Sequence, residues 1–578
     1  MGNKKNNQKR SSLIRLVLGI VIIVFVNIIS ANLFTRIDLT AEKRYTVGDD
    51  TRELLRKLDD VVYFQVYLKG DLAPRYKRLQ QATQEMLDEF RVYTDNIQYQ
   101  FINPSSNDDP KERYNTHENL KERGLIPAEV REDDAEGVKF QIIFPGAIVS
   151  YKSKEMPLQL LRPERGATED EMVNRAIENI EFNLAYVINL LSNERKSKIA
   201  FIEGHGEFNL KETADITRAL QENYVVERVR LNERVNILTE RVESDSGNMA
   251  IRNIYKAIII AGPDSVFSEK DKFIIDQYIM HGGKVLWLVD AVFASMDSLQ
   301  FGGATMGITN NVHLDDQLFN YGVRLNTNLI MDLIALPIPV TTGSLAGQQQ
   351  IDFFPWYFFP LVTPQINHPV VSNLRAVTTE FVSSIDTIRI PGIKKTFLLN
   401  SSPYSRRLNA PVYINLNILG YEPDEHLYNE AFLPVAVLLE GEFSSLYKNR
   451  ISPSLAYSKE IGFTEYSEPT AMIIVSDADV IRNQLHYSQG YPLALGYDQF
   501  TEQTFGNKKF ILNAIDYLTE GSDLISIRSR ELKLRLLDNT YLKGNDLKWK
   551  LINVVIPPLL VIIFGIIYIF IRKKRYSA

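Results

Sequence analysis

Two short acidic motifs are where this 578-residue chain places side chains of the right type close enough to do chemistry. Glu203-Gly204-His205-Gly206-Glu207 follows the apolar run KIAFI. Its side chains are therefore expected at the carboxyl end of a buried strand, where doubly wound sheets hold ligands. Histidine shuttles protons or binds metals, and His-x-Glu matches half of the zinc deaminase signature. The other half needs cysteine, and the chain has none. With no further histidine at metal spacing, a structural turn holding a polar histidine is preferred over a metal or catalytic site. A modest ligand pocket stays open as the alternative. Asp477 and Asp479, in VSDADV, also end a hydrophobic strand. Paired carboxylates there could hold a divalent cation, but capping the next helix or bracing a loop is the preferred reading. Glu203, His205, Glu207, Asp477 and Asp479 together form the candidate ligand or partner site, with no catalytic, cofactor-binding or metal role assigned to any of them. Neither a Gly-x4-Gly-Lys-Ser/Thr loop nor a GxGxxG turn occurs, so nothing cradles the phosphates of ATP or NAD. Any energy source must be another subunit.

The composition, 45% hydrophobic and 24% charged, is that of a globular protein, and its length suits two to four domains. A net charge of -6 argues against general affinity for nucleic acid. Absence of cysteine excludes disulfides, thiolate zinc sites, a Cys nucleophile and cysteine-ligated iron–sulfur clusters. Two apolar runs, residues 13–34 and 551–571, are long enough to cross the hydrocarbon layer of a bilayer as helices. Lys4, Lys5, Lys9 and Arg10 ahead of the first leave a cleaved signal peptide as its competing reading. Arg572, Lys573, Lys574 and Arg575 favour a cytoplasmic end after the second. Lys533, Arg535, Lys543, Lys548 and Lys550 on its other flank nearly balance that bias. Cytoplasmic termini, with the large intervening region outside the inner membrane, remain the better expectation.

The elements that must position the two motifs follow from periodicity. VVYFQVYL, a helix over 75–93 and IQYQFIN give a strand, a helix and a strand. The charged stretch 105–137 reads as an exposed excursion, and FQIIFPGAIVSY as one strand. Thr168 and Glu171 form a capping box opening a helix over 168–192, which separates or bridges two domains. KIAFIEG, a helix over 212–223, YKAIIIAGP, a helix capped by Ser268 and Asp271, and KVLWLVD imply a largely parallel, doubly wound sheet. From about residue 380 short strands suggest a β-rich insertion, and the α/β rhythm returns with AMIIVSDADV and FILNAIDYL. IDFFPWYFFPLV packs six rings between prolines, as a core crossing or as a surface meeting a partner or the bilayer. The expected order is a tail over 1–12, a span over 13–34, and a small α/β domain with its linker over 35–165. A connecting helix over 166–195, an α/β domain over 196–380, a β-rich subdomain over 381–470 and a return to the α/β domain over 471–525 follow. A juxtamembrane segment over 526–550, a span over 551–571 and a tail over 572–578 complete it.

RIDLTAEKRYT after the first run, FIEGHGE, INHPVV, LLEGEFSSLYKNRI, VSDADVIRNQ, FGNKKFILNAIDYL and LRLLDN occur in an order and spacing that carry a family likeness. The chain resembles the GldG family, gliding-motility-associated ABC-transporter auxiliary proteins of Bacteroidota, along essentially its whole length. The resemblance implies a membrane subunit working with a separate ATPase and a permease. It also implies a large periplasmic region with a glutamine-amidotransferase-like α/β domain that binds a cargo or protein partner. Amidotransferases of that fold use a Cys nucleophile, so the likeness carries architecture and not hydrolysis. The family offers no catalytic residues or cofactor to place on this chain. A non-enzymatic transporter subunit is thus the first expectation, and a structural anchor in a gliding or secretion machine the alternative. Hydrolysis or glycan chemistry at Glu203, His205 and Glu207 is the least favoured reading.

Overall fold

The computed structural model describes residues 18–19, 47–134, 137–161, 168–192, 196–243, 249–345, 348–372, 374–458, 461–520 and 539–576. Apart from 18–19, the expected first span lies outside the described residues, as do both tails' outer ends. The chain forms two compact units, Met1–Glu531 and Leu532–Ala578.

In the first unit the described chain from residue 47 onward begins with helix α1 (Asp49–Arg56), preceded by Gly48, which has no side chain to cap it. The cap comes from far along the chain: Glu181 accepts from Gly48 N at 2.7 Å and from Thr51 Oγ1 at 3.0 Å. A carboxylate at a helix N-terminus is favoured by the helix dipole. Strand β1 (Val62–Val66), helix α2 (Pro74–Tyr93), strand β2 (Ile97–Phe101) and strands β3 (Gly146–Tyr151) and β4 (Lys154–Gln159) build a sheet of order β2-β1-β3-β4. The stretch 105–137 is no simple excursion. It contains a helix over Pro110–Glu122 that buries His117 and Leu120, and its end pairs as a hairpin of Ala128–Asp134 with Gly137–Ile143. FQIIFPGAIVSY is likewise two strands, because Pro145 falls between them. The expected helix over 168–192 is two, α3 (Glu169–Glu178) and α4 (Ile180–Ser192), opened by the Thr168/Glu171 capping box. Val173, Ala176, Leu184, Val187 and Leu191 enter the same core as Val62, Phe64 and Leu79. This helix pair is a wall of the first core.

The second core is built on strands β5 (Lys198–Glu203), β6 (Val225–Arg230), β7 (Ala257–Ala261), β8 (Lys284–Leu288), β9 (Ile393–Asn400), β10 (Pro434–Gly441) and β11 (Thr470–Val475), in the order β9-β10-β11-β8-β7-β5-β6. β6, β5, β7, β8 and β11 run parallel, while β10 and β9 are antiparallel additions at one edge. Helices α5 (Ala214–Gln221), α6 (Glu269–Met280) and α7 (Asn507–Glu520) cover it. Successive residues alternate between two apolar layers, as a doubly wound sheet requires. Ile199, Phe201, Ile259 and Ile473 join Ile216, Phe510 and Ile515 on one side. Ala200, Ile202, Ile258 and Ile474 join Ile274, Tyr278 and Ile279 on the other. The expected β-rich insertion over 381–470 therefore does not stand apart, since β9 and β10 extend the main sheet. The aromatic run lies in a long hairpin of Ala335–Leu345 with Gln348–Val362. Trp356, Phe358 and Phe359 fill a core with Leu329, Met331 and Ile414, whereas Ile351 and Phe353 are exposed.

The described residues of the second unit form one helix, α8 (Asn539–Tyr576), which contains Pro557 and Pro558. Its stretch Leu551–Lys574 is 24 residues long and apolar enough to cross a membrane. At 1.5 Å per residue that is about 36 Å, against a hydrocarbon core of about 30 Å.

Phe510 of α7 is fully buried against strands that precede it by some hundreds of residues, so the late helix seals the early sheet. Phe510→Ala should lower the unfolding free energy of the first unit by about 3–5 kcal/mol in urea titration of the full chain in detergent. A loss below about 1 kcal/mol would contradict this packing.

Candidate functional site

Among the parallel strands the chain order is 2-1-3-4-5 across the sheet, β6-β5-β7-β8-β11, so the direction of winding reverses between β5 and β7. The crevice outside the carboxyl ends of such a pair is where open α/β sheets bind ligands. Here the loops after β5 and β7 fill it themselves. His205 O accepts from Asp264 N and Ser265 N, both at 3.0 Å, and Phe208 N donates to Ala261 O at 2.9 Å. Gly206 has φ +79°, and a Cβ on it would lie 1.6 Å from Asp264 Oδ1. A Cβ on Gly262 would lie 2.7 Å from the Phe208 ring. Only glycine permits these approaches.

His205 is buried between two carboxylates. Its Nδ1 lies 3.2 Å from Glu207 Oε1 and its Nε2 3.2 Å from Asp271 Oδ2. Its backbone N–H donates to Glu207 Oε2 at 2.7 Å. The Phe267 ring stacks on it, with centroids 3.7 Å apart. Burial works against the charged imidazolium, but the bonds and charges of Glu207 and Asp271 outweigh it and raise the histidine's pKa. Both ring nitrogens are thereby engaged, and Asp271 also accepts from Ser268 Oγ and from Glu233 N. Glu203 points elsewhere, to Arg228, which also bonds Thr213 Oγ1 at 3.1 Å.

Asp477 and Asp479 stand beyond β11 in a second cluster. Asp477 Oδ2 accepts from Glu380 N at 2.7 Å and its Oδ1 from Asp479 N at 2.8 Å, so Asp477 braces two loops through backbone bonds. Asp290, following β8, accepts from Ala478 N at 2.7 Å. Asp479 pairs with Arg482 at 3.2 Å, and Arg482 with Glu212 at 2.9 Å. Burial, reinforced by the charge of Asp479, pushes Asp290 up to about 7 and Glu380 up to about 8. Asp477 is raised well above the usual carboxylate range for the same two reasons. The five sequence candidates thus fall into three places: Glu203 on Arg228, His205 with Glu207, and Asp477 with Asp479. No group of three or more His, Asp or Glu side chains among the described residues is arranged to hold a metal ion. Asp271 was visible in sequence only as a helix cap, 66 positions from the histidine it binds. Asp290 carried the same signal as Asp477, an aspartate directly after a buried strand, whereas Glu380 and Arg482 carried none.

Comparison with known proteins bears on this arrangement. Residues 196–514, more than half of the chain and all seven strands of the main sheet, match the model of an auxiliary family described as an ABC-type uncharacterized transport system. The chain belongs to that family. Residues 41–150 match a domain of unknown function. A protein of Borreliella burgdorferi described only as uncharacterized is 22% identical over 580 residues, covering 99% of each chain. A solved structure, the mmIFT52 N-terminal domain, is 13% identical and is matched over 56% of this chain and 98% of its own, but with a TM-score of 0.30. Membership of an auxiliary transport family makes this ABC-type chain an accessory component of a transporter, and its apolar α8 is consistent with membrane association.

Gly206→Ala combines an unfavourable φ with a collision against Asp264, and it should destabilise this ABC-type auxiliary domain by more than about 1 kcal/mol in urea titration. The pH dependence has a definite sign. Asp290, Glu380 and His205 all have folded pKa values above their ordinary ones, so the folded state holds the extra protons. Their contribution is complete below the unfolded pKa of each and is lost as pH rises through the folded values. Melting temperature should therefore fall between pH 5 and pH 8.5, and Asp290→Asn with Glu380→Gln should flatten that fall and melt above wild type at pH 8.5. An unchanged slope in the double variant would refute the assignment.

Proposed function

We propose that this chain is a non-enzymatic membrane subunit of an ABC-transporter complex, working with a separate ATPase and a permease, whose large region lies in the periplasm and binds a cargo or a partner protein. The observation that carries the reading is the filled switch point inside the family-matched region. At the place where this sheet topology ordinarily admits a ligand, Phe208 covers Gly262, Asp264 abuts Gly206, and both nitrogens of His205 are engaged by carboxylates. Such a centre offers neither an open crevice nor a free base for hydrolysis. The absence of a phosphate-cradling loop assigns ATP turnover to another subunit.

Arg572, Lys573, Lys574 and Arg575 support a cytoplasmic end for α8, and the apolar run over 13–34 supports a second span with both termini on that side. A role in gliding motility rests on the resemblance of its motif order to that of the gliding-motility auxiliary proteins.

Affinity purification of the full chain from detergent-solubilised membranes should bring down an ABC ATPase and a permease, and recovery of neither would overturn the transporter reading. Inactivating the partner ATPase should abolish the cellular function. If function survives, the chain is a structural anchor of an envelope machine. His205→Gln with Glu207→Gln should leave function intact in a variant that still folds, and its loss there would restore a chemical role for the motif.

A further inference from the structure

The connection from β11 to α7 runs outward from the same sheet end that the other loops close, and it forms an open feature of its own. Residues 484–493 fold back as a hairpin, with His486 N donating to Tyr491 O at 2.9 Å, Leu493 N to Gln484 O at 2.8 Å, and Gly490 turning at φ +64°. Against it lies a second short hairpin, Tyr497–Asp498 with Gln503–Thr504. Between them is a cleft of about 630 Å³, lined chiefly by His486, Tyr487, Tyr491, Tyr497, Gln499 and Glu502. No lysine or arginine lines it.

The wall is preorganised. Gln499 Oε1 accepts from Tyr487 N at 2.9 Å and its Nε2 donates to Leu485 O at 3.0 Å. Asp498 accepts from Gln484 Nε2 at 3.2 Å and from Thr501 N at 2.8 Å. His486 stacks on Tyr487, with centroids 5.1 Å apart, and on Tyr491 at 4.9 Å. Its Nδ1 accepts from Ser488 N at 3.3 Å and Gln489 N at 3.4 Å. Each tyrosine lends one face to His486, and the remainder is open: Tyr487 is 79% and Tyr491 47% exposed. Glu502 is exposed, in the left-handed conformation at φ +56°, and has no ion-pair partner among the described residues.

The amide of Gln499 and the carboxylate of Asp498 are already used within the wall. What faces a ligand is therefore aromatic surface and one carboxylate, with no opposing cation. The planar hydrogen-bonding groups of Gln499 and Asp498 are committed to the wall, and a carboxylate with no lysine or arginine beside it in the lining favours a cation over a neutral sugar. An organic cation that makes no hydrogen bonds needs only ring faces and a counter-charge. We propose that this cleft binds a small quaternary ammonium group, a trimethylammonium that takes its aromatic surface from the lining tyrosines and its counter-ion from Glu502.

The test is calorimetric titration of choline into the full chain reconstituted in phosphatidylglycerol nanodiscs. The probes beside it are choline's neutral isostere, in which a tert-butyl group replaces the trimethylammonium, and N-acetylglucosamine. Choline should bind saturably and the isostere about tenfold or more weakly. Tyr487→Ala, at a highly exposed ring whose removal spares the fold, should weaken choline about three- to tenfold, and Tyr487→Phe should restore it. Glu502→Gln should weaken it and reduce its salt dependence. Repeating the titration with phosphatidylcholine in the disc separates two sources of the group: suppressed choline binding identifies a lipid headgroup, and unchanged binding a free solute. No saturable choline binding, equal affinity for the isostere, or tighter binding of N-acetylglucosamine would each overturn the proposal.

Discussion

The main sheet is covered on both faces, so its central strands have almost no position that tolerates charge. β7 is AIIIA throughout, and the ionisable groups of β5 and β8 stand at their ends: Lys198, Glu203 and Lys284. Beyond those ends the chain carries Glu207, Asp264, Asp290, Asp477 and Asp479, all at the carboxyl edge of the parallel strands. Burying unpaired carboxylates there would cost several kcal/mol each, and the fold meets that in two ways. Backbone N–H groups are aimed at Asp477 and Asp290 from neighbouring loops, and the basic side chains His205, Arg228 and Arg482 are set among the acids. The loops at this edge are thus tied together by polar contacts, and where these do not offset burial, at Asp290, Glu380 and Asp477, the carboxyl pKa rises.

That compensation also closes the crevice between β5 and β7. His205 holds its own loop through Glu207 and reaches α6 through Asp271, while its carbonyl holds the loop after β7. Arg228, on the edge strand β6, joins Glu203 to Thr213 just ahead of α5. Arg482 carries the same linkage toward Glu212, with its guanidinium 5.0 Å from the centroid of the Phe208 ring. Phe208 therefore has the Arg482 guanidinium and Gly262 against its ring, while its carbonyl accepts from the Arg228 guanidinium, which is a means of filling space and not of admitting a ligand.

How far this was legible from sequence depended on whether the controlling contacts were local. Runs such as KIAFI, AIII and KVLWL announce two-sided burial by themselves, and the Thr168/Glu171 box lies within four residues, so the doubly wound order and that helix start were readable. The helix over Pro110–Glu122 was hidden because only His117 and Leu120 of its residues are buried, too few to print a periodicity on a charged stretch. β9 and β10 read as an insertion because antiparallel edge strands and insertion strands look alike until their partner, β11, is known. At the site, the His205-Glu207 pair was plain, whereas Asp271 was readable as a cap and only folding made it the histidine's second partner.

A rigid scaffold with a sealed centre shifts recognition to the loops that leave it. The sealing loops after β5 and β7 are short and bound to one another, but the connection from β11 to α7 is about thirty residues long and folds into hairpins of its own. Its inner end is anchored: Asn483 N donates to Glu212 O at 2.7 Å, and Leu495 N to Asp215 Oδ2 at 3.0 Å. Its outer part turns Tyr487 and Tyr491 to solvent, although large aromatic side chains gain the most from burial. Exposing them on a hydrogen-bonded, anchored frame forgoes stability that the same residues would supply in a core, and the loop is long enough to have buried them. In contrast to the closed crevice, this anchored loop leaves ring surface open at the margin of the sheet.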